Sequence, residues 1–173
     1  MSLSSLIHSF KESKMMSLPL RVKTLIKELD LLPHPEGGYY RETYRSSVLV
    51  EGERSVSTMI YFLLTSDDRS SFHRIDTDEG WHHYEGDTIR IHILDQDDHR
   101  WVDVGRFEKE VTPQALIPAG LWFGAEVLPG SHGYALVGCT VAPGFEFSHF
   151  QLAEKDELMM RTPEHKSIIE RLT

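Results

Sequence analysis

Residues 38–152 set the strongest constraint on this chain, as short runs rich in Val, Ile, Thr, Tyr, Phe and Trp broken about every ten residues by Gly, Pro, Asp and Ser. The pattern predicts ten β-strands, over 38–49, 56–64, 71–75, 81–84, 88–94, 101–104, 115–117, 121–127, 133–141 and 149–152. The separators, among them 65–69, 86–87, 95–100, 118–120 and 129–133, carry the residues that turns require. No helical pattern interrupts the series, and parallel neighbours need long crossovers. The strands therefore pair antiparallel, in a sandwich or barrel, and the chain reads as all-β. The run 58–64 is apolar on both faces, as a central strand covered on both sides should be. Arg90, His92 and Leu94 alternate with Ile91 and Ile93, which gives that strand one mixed face.

Only the ends read as helical. Over 19–32, Val22, Leu25, Ile26 and Leu29 recur at helical spacing with Lys23 and Lys27 opposite, and Pro33 and Pro35 stop the helix. Thr162 and Pro163 read as a cap and first-turn proline, opening a short closing helix with Ile168, Ile169 and Leu172 on one stripe. Residues 1–16, Ser-rich with Lys11, Lys14 and Glu12, read as a flexible extension, leaving a single domain over 17–173 with its barrel at about 36–153. At 173 residues one core suffices without disulfides. Cys139 is the only cysteine, so an internal disulfide is excluded and a cytoplasmic, reducing setting is expected. A net charge of -9 repels a phosphate backbone, which argues against a nucleic-acid polymer as partner. With no apolar run near the roughly 20 residues that cross a bilayer, no membrane partner is expected.

Chemistry concentrates in FHRIDTDEGWHHYEGD, residues 72–87, where His73, Asp76, Asp78, Glu79, His82, His83, Tyr84 and Glu85 crowd two strands and their turn. Alternation puts His73 with Ile75 on one face, then Glu79, Trp81 and His83 on one face and His82 and Tyr84 on the other. Polar groups at this density on barrel strands are costly unless they line a cavity, although packing and turn roles account for any single one of them. Glu36, Gly37 and Gly38 read first as a tight turn into the first strand, with a direct ligand contact as the alternative. Beyond it Tyr39, Arg41, Thr43 and Arg45 fall on one face and Tyr40, Glu42 and Tyr44 on the other, suited to an edge strand or a cavity wall. Trp122 or Phe123, pointing inward, would give a plate on which a base or sugar ring stacks. Pro143, Gly144, Phe145 and Phe147 read as a bend with aromatic packing, and Met159 and Met160 as packing.

The run from His73 through Ile75 and Glu79 to Gly86 resembles the first cupin motif, and Pro118, Gly120 and Phe123 resemble the second. Ile75 and Phe123 stand where the motifs place histidines, so His73 and Glu79 alone remain of the four metal ligands. The blocks HPEGGYYRETYR, STMIYFLL, FHRIDTDEGWHHYEGD, IPAGLWFGAE and LVGCTVAPGFEF, in that order, are similar to the cupin-5 branch, whose biochemical function is not established. The resemblance covers roughly residues 20–172. It implies a double-stranded β-helix, the jelly-roll barrel of the RmlC-like cupins, with a ligand cavity and commonly a homodimer.

Three functional expectations follow. The first is a small-molecule-binding cupin that holds a polar metabolite, such as a nucleotide or sugar nucleotide, through His73, Glu79, His82, Trp122 and Phe123, without a cofactor. The second is a sugar-nucleotide epimerase or isomerase with His73 as base, Asp76 or Glu79 orienting it and Tyr84 as proton donor. The third is a divalent-metal cupin with a reduced ligand set of His73, Glu79 and one of His82 or His83, since two protein ligands alone make no tight site. A purely structural role, with a filled barrel, stands against all three.

Overall fold

The computed structural model describes residues 17–50, 53–95 and 98–173; the extension expected at 1–16 lies outside them. A helix, α1 (Leu20–Glu28), comes first. Fourteen strands follow: β1 (Leu32–Pro33), β2 (Tyr39–Arg45), β3 (Leu49–Val50), β4 (Arg54–Ser55), β5 (Thr58–Thr65), β6 (Arg69–Ile75), β7 (Asp78–Gly86), β8 (Ile89–Asp95), β9 (Asp98–Val104), β10 (Val111–Thr112), β11 (Gln114–Ile117), β12 (Trp122–Val127), β13 (Tyr134–Ala142) and β14 (Phe150–Leu152). Two short helices, α2 (Lys155–Arg161) and α3 (Lys166–Arg171), close the chain. Each of the ten predicted runs contains a strand. No helix among the described residues is long and apolar enough to cross a membrane.

The strands form two six-stranded sheets, ordered β1-β2-β5-β13-β7-β11 and β10-β9-β8-β12-β6-β14, with β3 and β4 as a separate hairpin. From β5 the chain steps from sheet to sheet, β5, β7, β11 and β13 in the first and β6, β8, β12 and β14 in the second. This is the winding of the expected double-stranded β-helix. Between the sheets, Phe62, Leu64, Trp81 and Val137 of the first pack against Ile89, Ile91, Ile93 and Phe123 of the second. Fully burying side chains of this size stabilises by about 1.5–3 kcal/mol each, so the barrel is held chiefly by this core.

The outer faces explain the two-sided hydrophobicity of β5. Val22, Leu25 and Ile26 of α1 cover Leu63 of β5 together with Tyr39, Tyr134 and Leu136. Helix α1 ends at Glu28, before the prolines, because Leu29 closes the last turn and Asp30 takes a left-handed φ of 55°. At the other end Leu94 and Phe72 lie under Leu158, Ile168, Ile169 and Leu172. Helix α2 was absent from the sequence reading, and it carries Met159 into this cluster while Met160 stays exposed. Thr162 does not cap the segment that follows; its Oγ1 donates back to the Leu158 carbonyl at 3.0 Å.

Candidate functional site

One half of the barrel interior is filled and the other is hollow. On β5, Leu64 lies wholly within the core, whereas Thr58, Ile60 and Phe62 line a cavity, Phe62 at its boundary with the core; on β13, Ala135 and Val137 lie within the core, whereas Cys139 and Val141 are core residues that also line the cavity. The cavity has a volume of about 310 Å³. It runs from the buried side chains of His73 and Glu79 to the exposed Glu42, Arg45 and Phe147, and so reaches solvent.

His73 on β6 and Glu79 on β7 come from opposite sheets, because the chain changes sheet at Asp76 and Thr77. Two further ionisable side chains join them from the loop between β1 and β2, His34 and Glu36. Gly37 and Gly38 make that loop feasible, with φ of 117° and 67°, and a side chain at Gly37 would collide with the Arg69 carbonyl. The turn reading of these glycines is thus right in its backbone, yet it missed that the same turn delivers the Glu36 carboxyl inward. Ser70 Oγ donates to Glu36 Oε1 at 2.9 Å, and His73 Nδ1 lies 3.0 Å from Glu36 Oε2.

These contacts fix the protons. His73 Nδ1 lies 2.8 Å from the Ser71 carbonyl, which only accepts, so Nδ1 carries the hydrogen and Nε2 is the basic nitrogen. His34 Nδ1 accepts the backbone N–H of Glu36 at 3.3 Å, so its neutral ring carries hydrogen on Nε2. Burial pushes Glu36 up to about 7, against the downward pull of His34 and the Ser70 hydrogen bond. Glu79 is likewise pushed up to about 7, chiefly by burial, with His73 pulling down and Glu36 pushing up. Burial holds His73 below its ordinary value despite Glu79, and His34 below its own. The Cys139 thiol is raised well above its usual range, first by burial and then by Glu79, so it is a wall and not a nucleophile.

Aromatic and mouth residues complete the cavity. Tyr40 and Phe62 approach His34 edge-on, with ring centroids at 4.6 and 5.6 Å. Phe145 and Phe147, expected to pack at a bend, line the outer wall together with Phe150 of β14. At the mouth β2 bulges between Glu42 and Tyr44, so that Arg45, opposite Thr58, turns to the same side as Tyr40 and Glu42 opposite Ile60. Uninterrupted alternation had placed Arg45 on the other face from those two.

The remaining candidate residues lie elsewhere. His82 packs on the outer face, with Nε2 3.2 Å from Thr140 Oγ1. Tyr84, 55% exposed, lies over Gly138 and against Tyr61 on the outside, where a side chain at Gly138 would collide with it. His83 is held near the far end of β7, its Nε2 3.2 Å from the Asp87 carbonyl. Asp76 is outside as well, paired with Arg54 and His149. Trp122 faces a separate outer crevice beside Arg74, whose guanidinium sits 4.7 Å from its ring centroid. Phe123 is interior and buried, supporting His73 with ring centroids 4.1 Å apart.

A metal does not fit these residues. Ile75 and Phe123 offer no donor atoms, His82 meets Thr140 on the outer face, and the His83 ring is held on the Asp87 carbonyl near the far end of β7. Among the described residues no group of three or more His, Cys, Asp and Glu side chains is arranged to hold an ion. The reduced ligand set expected from the sequence therefore does not assemble.

The uncharacterized protein YML079W of Saccharomyces cerevisiae is 30% identical, the alignment covering 87% of this chain and 84% of that one. A hypothetical protein from Leishmania major matches with a TM-score of 0.83 and 36% identity, covering 87% of this chain and 97% of that one. Protein SO0799 of Shewanella oneidensis gives 0.82 and 35%, covering 87% and 95%. Oxalate decarboxylase from Bacillus subtilis shares the fold alone, at 0.53 and 18% identity over 82% of this chain and 36% of that one. Residues 23–153 match the family Cupin_5, described as cupin superfamily (DUF985). A double-stranded β-helix, antiparallel except for the short parallel pair β9–β10, the ordered blocks along it and this match together place the chain in the Cupin_5 family of the cupin superfamily.

Proposed function

We propose that this cupin binds a compact polar small molecule in the cavity between its sheets, held by His73, Glu36 and Glu79 and enclosed by aromatic walls. The observation that carries this reading is the burial of four ionisable side chains around a hollow that reaches solvent. Such groups are costly in an apolar barrel, and their assembly in a cleft with shifted pKa values is the physical mark of a binding or reaction site. A volume of about 310 Å³ sits at the lower end of the roughly 300–1,000 Å³ usual for ligand pockets. That suits a head group the size of one sugar or base, so the phosphates of a nucleotide or sugar nucleotide would have to lie beyond the mouth. Calorimetry with sugars, nucleosides, sugar nucleotides, amines and organic acids tests the reading. Saturable heat lost in His73→Ala is the expected result, and no binding at millimolar concentration to folded protein would overturn it.

A second reading, proton transfer, is favoured by one specific arrangement. His73 is neutral, with Nδ1–H held and Nε2 left as base, and Glu79 stays protonated up to about neutral pH. In an isomerase or epimerase, Nε2 would take a proton from the carbon beside a carbonyl and the Glu79 acid would return one. Glu36 then serves as the group that orients the imidazole, and Tyr40, inside the cavity, stands where Tyr84 does not. Solvent deuterium incorporated into a keto sugar or its nucleotide, and lost in Glu79→Gln, is the expected outcome. Exchange unaffected by loss of His73 would remove this reading and leave binding untouched.

A further inference from the structure

We propose that the cavity is selective for an organic cation, an amine or ammonium group carried on a compact ring or apolar body. The inference rests on the binding role proposed above and narrows it to one class of ligand.

The charges that line the hollow are unequal. Glu36, Glu42, Glu79 and Glu146 face it against a single guanidinium, Arg45. Arg45 is already committed to that acidic mouth. Its Nε and Nη2 donate to Glu42 at 3.0 and 2.7 Å, its Nη1 donates to Glu146 at 2.8 Å, and Nη2 also reaches the Phe145 carbonyl at 3.1 Å. Two carboxylates around one guanidinium leave the mouth with excess negative charge. Deeper in, the two imidazoles do not restore the balance, since burial holds both His34 and His73 toward their neutral forms. A carboxylate or phosphate entering here would add a negative charge to a site where, among the described residues, the one lining guanidinium, Arg45, is already paired with Glu42 and Glu146. Burial keeps the Glu36 and Glu79 carboxyls protonated up to about neutral pH, and an ammonium group entering beside them would favour their ionised form and so gain its own counter-charge.

The walls agree with the floor. Phe145, Phe147 and Phe150 form a cluster of edge-to-face rings with centroids 5.0, 6.0 and 6.2 Å apart, and Phe62 and Tyr40 continue it inward. Ring faces attract cations within about 6 Å, more strongly where water is excluded. An aromatic sleeve ending on carboxylic acids therefore compensates a cation for the water it loses, whereas it offers an anion no comparable contact. A net charge of -9 over the whole chain adds a long-range attraction of the same sign.

The test is a matched series on one ring body, benzylamine, benzyl alcohol and benzoate, titrated by calorimetry at neutral pH into the full-length protein. The amine is expected to bind about tenfold or more tightly than the alcohol, with benzoate weakest, and added salt should erode this preference. Glu79→Gln and Glu36→Gln, each first shown to be folded by circular dichroism, should weaken the amine about tenfold and leave the alcohol within about twofold. Equal or tighter binding of the alcohol or benzoate, or an equal loss for all three probes in the variants, overturns cation selectivity while the binding role stands. If none of the three binds at millimolar concentration to folded protein, this inference falls, while the binding role is decided separately by the wider panel of sugars, nucleosides, sugar nucleotides and organic acids.

Discussion

Glu79→Gln is the most direct perturbation of the buried acids, because glutamine keeps the shape and removes the titration. The wild-type carboxyl has its pKa raised from 4.5 to about 7, mainly by burial. A group whose folded pKa is raised binds its proton more tightly in the native state, so the stability it confers is fully present below the unfolded pKa and is lost as pH climbs to about 7. At about 1.36 kcal/mol for each pH unit, the displacement from 4.5 to about 7 amounts to about 3 kcal/mol, most of which develops between about pH 5 and about pH 8. Glutamine has no such loss. Urea unfolding of both proteins without ligand should therefore show the variant gaining on wild type by about 2–3 kcal/mol between these pH values. His73 Nδ1–Glu36, His34 and the Cys139 thiol surround the site in both proteins and stay in place in the comparison. A difference between variant and wild type that is the same at both pH values, or that reverses, would refute the assignment of Glu79 as a buried acid ionising near neutrality.

Three other outcomes check separate parts of the structure. Gly37→Ala forces a side chain at φ 117° into the Arg69 carbonyl and should lower the unfolding free energy by about 2–4 kcal/mol in urea titration. His92, buried on β8 between His99 at 3.0 Å and Glu126 at 3.1 Å, has its pKa lowered to about 4, chiefly by burial. A lowered base contributes stability above 6.5 that is lost as pH falls toward about 4, so wild type should lose up to about 3 kcal/mol over that window and His92→Gln markedly less, measured by thermal melts across the range. Elemental analysis of protein purified without a His tag should find substoichiometric transition metal, and a chelator should leave the melting temperature unchanged; one tightly bound ion per chain would contradict the donor arrangement.

The fold was legible in the sequence to the extent that local chemistry decides it. Strands β5, β8, β12 and β13 are rich in apolar, β-branched and aromatic residues with turn residues at their ends, and β5 and β13 are buried on both faces as strands covered on both sides are. Helix α1 showed itself through the stripe of Val22, Leu25 and Ile26. Helix α2 did not, because its sequence KDELMMR buries only Leu158 and so lacks a stripe to read. The early end of α1 was hidden for a related reason: Asp30 in a left-handed conformation is a tertiary choice, whereas Pro33 is the obvious local stop.

The site was legible only where its residues follow strand alternation. His73 and Glu79 do, and the alternation that sets Glu79 and Trp81 apart from His82 and Tyr84 persists in the structure. The residues that escaped enter the cavity by departures from regular geometry. Glu36 arrives from a turn whose two glycines signal backbone conformation and say nothing of where the preceding side chain goes. Arg45 arrives through the β2 bulge, and a bulge inverts every residue after it without marking the composition. Phe145 and Phe147 arrive from a segment tied down by distant arginines, with Arg45 on the Phe145 carbonyl and Arg54 on the Gly144 carbonyl. Each of these departures depends on a partner far away in the chain, so no window of sequence contains its cause. A regular barrel supplies one inward residue in two from every strand, and that number of apolar side chains would fill it. The hollow half exists because irregular segments bring charged and aromatic groups over the barrel's open end in place of another layer of aliphatic core, which is why the chemistry collects where the periodicity fails.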